Sequence, residues 1–78
     1  MKDTNTNYII VILSKENINY IYEYSNTKYG LKMHFGQNIF YSKYYKEITA
    51  NNIVKTIKKY HPELFVFKEK NEINIQTK

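Results

Sequence analysis

The stretch 48–62, ITANNIVKTIKKYHP, constrains this chain more than any other, because its apolar residues repeat with the period of a helix. Ala50, Ile53, Val54, Ile57 and Tyr60 recur every three or four positions and form one stripe, which leaves Asn51, Lys55, Thr56, Lys58 and Lys59 outside. Thr49 is placed to cap the first turn with its hydroxyl, and Ile48 to staple onto Ile53. Lys58 and Lys59 suit the carbonyl end of the helix dipole, and Pro62 biases His61 away from helical geometry and ends the element. A single amphipathic helix must bury its stripe against something else, and the flanking sequence supplies strands.

Residues 8–13, YIIVIL, are a β-branched run too short for an ordinary helix, which predicts a central strand. After a polar turn at 14–17, residues 18–24 alternate as a hairpin partner. Ile18, Tyr20, Tyr22 and Tyr24 share one face, and Asn19, Ile21 and Glu23 the other. Which of these faces turns inward stays open at this level. A turn at 25–27 leads to 28–35, with Tyr29, Leu31, Met33 and Phe35 on one face and Lys28, Gly30, Lys32 and His34 on the other. Residues 39–45, IFYSKYY, are expected to return as a fourth strand, with two helical turns as the competing reading. Beyond Pro62, residues 64–68 and 72–76 flank a polar turn at 69–71 and predict a terminal hairpin. The expected order is ββββαββ in one α+β domain over 1–78. It is a small two-layer sandwich whose antiparallel or mixed sheet of about five to six strands carries one amphipathic helix. Residues 1–6 are expected to be a disordered polar lead.

A domain of 78 residues buries only about 60% of the surface its unfolded chain exposes, so nearly every large apolar side chain is needed for the core. The absence of cysteine excludes a disulfide framework, a thiolate metal site and a cysteine nucleophile. The apolar run at 8–13 is far short of the ~20 residues that span a bilayer, and shorter than a signal peptide's core. The expectation is a cytoplasmic protein with no membrane association. Asn, Ile, Lys and Tyr supply 10, 11, 12 and 9 residues and arginine none, the codon bias of a low-GC bacterial genome, so part of the tyrosine excess carries no function.

Two glycines cannot build a phosphate-cradling loop, and the two histidines lie 27 positions apart without regularly placed carboxylates. No serine sits in a nucleophile elbow, and most acids fall in the tail or in expected turns. The expectation is therefore a non-enzyme without cofactor or metal. Charge is more telling. From Lys28 to Lys59 seven lysines meet one acid, Glu47, for +6, while the flanking segments sum to −1 and 0. A basic middle interleaved with tyrosines implies an anionic partner.

The candidate surface combines Lys28, Lys32 and His34 with Lys43, Tyr41 and Tyr45, and Tyr20, Tyr22 and Tyr24 as an aromatic row. The competing view is an ordinary solvated face, wet because it lies away from the helix, with lysines that block edge-to-edge aggregation. These features favour a non-catalytic inhibitor or accessory factor of a phage or mobile element, which occludes a host protein that handles nucleic acid or serves defence. The alternative is a small basic DNA- or RNA-binding module of weak sequence specificity, since lysine lacks the planar fork that reads guanine edges. Pairing of a sheet edge with a second copy, giving a homodimer, stays open.

Overall fold

A computed structural model describes residues 6–71. Strands β1 (Thr6–Ser14), β2 (Asn17–Thr27) and β3 (Gly30–Gly36) come first, then a single 3-10 turn (Ile39–Tyr41) and a two-residue strand β4 (Tyr45–Lys46). Helix α1 (Glu47–Tyr60) follows directly, and β5 (Phe65–Lys70) closes the described chain. The sheet is antiparallel. Its order is β3-β2-β1, with β5 on the other edge of β1 and β4 beside the start of β1. One helix on one antiparallel sheet is the α+β two-layer fold that the hydrophobic pattern predicts.

The YIIVIL run is the centre of the sheet because neighbours bond it along both edges, β2 from Val11 to Ser14 and β5 from Tyr8 to Leu13. Alternation sends Ile10 and Ile12 toward the helix, where they join Ile21, Val66 and the helical Ala50, Ile53 and Ile57 in one core. Each isoleucine removed from water there contributes about 1.5–3 kcal/mol. Ile9 and Val11 point to the opposite side, yet they too are buried. That side is therefore not simply wet. Tyr20 and Phe67 pair with Val11, and near the start of β1, where the Asn71 N–H bonds Asn7 O, the Tyr44 hydroxyl accepts from Asn71 Nδ2 (3.1 Å).

Several boundaries differ from expectation, each for a local reason. Residues 25–27 extend β2 instead of turning, and the hairpin reverses at Lys28 and Tyr29, where Thr27 Oγ1 accepts the Tyr29 N–H (3.1 Å). Gly30 follows at φ 124°, a conformation that side chains oppose. Residues 39–45 form neither a full strand nor two helical turns: Ile39–Tyr41 make a single 3-10 turn, and Tyr45 alone belongs to a strand, β4. Asn38 caps the 3-10 turn, and the chain then drops between β1 and β2, where the Lys43 N–H bonds Ile21 O (2.9 Å). The edge of β1 that β2 leaves after Tyr20 is filled by β4, which pairs Tyr45 with Tyr8.

The helix starts at Glu47, so Thr49 does not cap it, and Ile48 stands 70% exposed rather than stapled. Strand β4 runs straight into the helix with Lys46 at the cap and no side-chain cap bond. Glu47 in the first turn supplies the dipole partner instead, and Lys68 of β5 reaches both Glu47 (3.6 Å) and Asn51 (2.6 Å). At the other end the helix stops before Pro62 as expected, with Lys58 and Lys59 in the last turn, but Tyr60 is half exposed. Glu69 and Lys70 continue β5 rather than turning, because β1 offers bonding partners as far back as Tyr8. The expected strand at 72–76 lies outside the described residues, as does the expected lead at 1–6 except for Thr6, which begins β1 because it pairs with Lys46 of β4.

Candidate interaction surface

The geometry of the open side of the sheet, away from α1, begins with a β-bulge. Ile21 pairs with Phe35 and Glu23 with His34, so β2 carries one residue more than β3 at Tyr22. The extra residue reverses the alternation. Ile21 faces the core before it and Tyr24 packs toward the core after it, while Tyr20 and Tyr22 lie on the open side. Neither parity of 18–24 therefore holds throughout.

Tyr22 is the hub of that side. Its ring meets His34 edge-on at 5.6 Å and Tyr41 edge-on at 5.6 Å, and its hydroxyl accepts the Asn38 N–H at 2.8 Å. Such aromatic pairs are worth about 0.5–1.5 kcal/mol beyond their buried area. Gly36 makes room for the ring, since a Cβ there would lie 2.6 Å from the Tyr22 oxygen. The turn above is tied down in sequence: Asn38 Oδ1 accepts the Phe40 N–H (2.9 Å), Asn38 O the Tyr41 N–H (3.0 Å) and Ile39 O the Ser42 N–H (3.0 Å). A pinned turn thus holds two aromatic rings in water. Phe40 is 87% exposed and Tyr41 67%.

The fold brings together Lys32 and His34, exposed on the open face of β3, with Tyr22 and Tyr41, while Lys43 is exposed next to the backbone of Ile21. Tyr20 borders this group, half-buried opposite Val11. Three other candidates lie elsewhere. Lys28 sits at the hairpin turn with its ammonium 5.4 Å from the Tyr29 ring centre. Tyr24 and Tyr45 pack against the core on the helix side, where burial first, and then the neighbouring Tyr24, raises the Tyr45 pKa. Burial likewise raises that of Tyr44. Phe40 is the residue that pattern reading missed, because a strand at 39–45 would have given it no special prominence. The usable signal was Asn38, a strong capping residue two positions before Phe40.

Lys55, Lys58 and Lys59 are exposed on α1, on the other side of the molecule from Lys32 and His34. The +6 segment is thereby divided between two faces. Among the described residues no group of three His, Asp or Glu is placed to hold a metal ion, and no helix is long and apolar enough to cross a membrane.

Fold and surface together define a small α+β domain with a pinned aromatic turn beside a modest cationic patch. No protein family model matches the chain, and neither a curated protein nor a solved structure matches it.

Proposed function

We propose that this chain is a non-catalytic binding protein of a phage or mobile element in a low-GC bacterium, which occludes a host protein that handles nucleic acid or serves defence. The observation that carries the reading is the turn Ile39–Tyr41, which presents Phe40 and Tyr41 to solvent although four hydrogen bonds around it restrict its backbone. Exposing a phenyl ring costs solubility, and pre-ordering it removes part of the entropy lost on binding, the pattern of an interface anchor. His34, which shares the Tyr22 ring with Tyr41, Lys32 on the same face of β3 and Lys43 two residues past the turn would steer the chain to an anionic surface. Direct nucleic-acid binding is the weaker reading, because a phosphate-tracking groove wants its cations on one face and here they are divided.

Two experiments separate these readings. A Phe40→Ala/Tyr41→Ala variant should fold normally, since neither ring is buried, and should lose a host partner that the unaltered chain retains from lysate. Anchors of this kind are worth about 2 kcal/mol or more each, roughly 30-fold in affinity. Fluorescent single- and double-stranded oligonucleotides should bind weakly at about 50 mM salt and hardly at all at about 200 mM. Tight oligonucleotide binding that survives Phe40→Ala/Tyr41→Ala and collapses in Lys32→Glu/Lys43→Glu would replace the occlusion reading with the nucleic-acid one.

A further inference from the structure

Strand β3 reads GLKMHFG from Gly30 to Gly36 and is nearly symmetric about Met33: glycine at both ends, Leu31 against Phe35, Lys32 against His34. It is also an edge. Among the described residues β2 alone pairs with it, and its outer side carries no strand. In a two-residue hairpin the flanking residues, here Thr27 and Gly30, form a bonded pair. Backbone groups along an antiparallel strand then alternate, so Gly30, Lys32 and His34 turn theirs to β2 while Leu31, Met33 and Phe35 turn theirs outward. The free donors and acceptors are thus also symmetric about Met33.

We infer that the outer edge of β3 binds β3 of a second copy, antiparallel, on a twofold axis through Met33. Every outward backbone group then finds a partner. Met33 meets Met33 and Leu31 meets Phe35, so the same register that satisfies the backbone aligns apolar with apolar. A one-residue shift would lose both matches. The side chains involved are those the fold leaves unfinished. Helix α1 packs on β1, β4 and β5, and on the helix side of β3 Leu31 and Met33 are only partly buried and Phe35 is 40% exposed. On the open side, Lys32 of each copy lies across from His34, not from the other Lys32. Glu23, the partner of His34 within the copy, stands one strand further in, within reach of a lysine from the opposite edge. The lysine that blocks random edge pairing is accommodated in this one register.

Seven residues span only about 23 Å, short of a standard interface, so the assembly should form in the upper micromolar range rather than the nanomolar. This inference stands apart from the occlusion reading, since it uses the strand edge and not the turn.

Sedimentation equilibrium of the unaltered 9.5 kDa chain should show a reversible rise toward twice that mass as concentration increases to about 1 mM. A Met33→Cys variant, whose only cysteine would face its symmetry mate, should form a disulfide-linked dimer under mild oxidation. Bonded antiparallel pairs hold their Cα atoms about 5.5 Å apart, within the range a disulfide spans. Lys59→Cys on the outer face of α1 is the control and should crosslink at least tenfold more slowly. A chain that stays monomeric throughout, or a dimer in which Met33→Cys crosslinks no faster than Lys59→Cys, would overturn the assignment.

Discussion

Ser42 shows how a single residue reflects the demands of its surroundings. It is 8% exposed, between the aromatic turn and β4, and its hydroxyl oxygen has no hydrogen-bond partner. Its backbone N–H is what matters to the turn, bonding Ile39 O. A buried hydroxyl without a partner carries a desolvation cost of about 1–3 kcal/mol that removing it recovers, less any small packing loss. Ser42→Ala should therefore leave stability unchanged or raise it by up to about 1 kcal/mol, a gain of at most several degrees in Tm for a domain of this size. A loss above about 1 kcal/mol in urea unfolding would mean that the hydroxyl is bonded after all. Ser42 was not distinguishable in the sequence, and Tyr22 stood out only as one of a row of three tyrosines. A buried serine looks like any loop serine, and Tyr22 becomes a hub only because a distant Gly36 leaves it space and a distant Asn38 gives it a donor.

At the level of elements, periodic segments were legible and their interruptions were not. The stripe of Ala50, Ile53 and Ile57 is buried as its spacing requires, and the YIIVIL run is the central strand, bonded along both edges, with its four middle residues, Ile9 to Ile12, buried on both faces. The bulge at Tyr22 leaves no local trace, since it depends on the register between β2 and β3, which the hairpin turn at Lys28 and Tyr29 sets. Residues 39–45 misled for a related reason: their aromatics suit a strand, but the edge they reach is the short gap beside Tyr8. The helix offers the sharpest test at this scale. Ile57 is fully buried, and Ile57→Asp both removes its apolar burial and strands a carboxyl in the core. The combined loss, about 4 kcal/mol or more, is comparable with the roughly 4–12 kcal/mol that a domain of this size possesses. Circular dichroism should show a chain that is unfolded at room temperature or melts far below the unaltered one, and an unchanged melting temperature would refute the packing of α1 on the sheet.

Over the whole molecule the fold divides into a covered half and an open half. The described chain measures 39 × 30 × 16 Å with a radius of gyration of 12.9 Å, against about 11 Å for a compact domain of its size. The excess is consistent with the β2–β3 hairpin lying beyond the helix. In the covered half, Ile9, Ile10, Val11 and Ile12 are all buried, so their amides should exchange only through global unfolding. In the open half, residues 25–27 and Gly30 are exposed on a ladder two strands wide, and opening it disturbs little of the core. Hydrogen exchange at low protein concentration should therefore find the bonded amides of the distal hairpin at least about tenfold faster than those of Ile10 to Ile12, a difference of about 1.4 kcal/mol in opening free energy. Equal rates would make the domain one cooperative unit. The gradient also bears on assembly: Leu31, Met33 and Phe35 belong to the weakly held half, so pairing with a second copy should raise protection there first as concentration increases, and leave β1 unchanged.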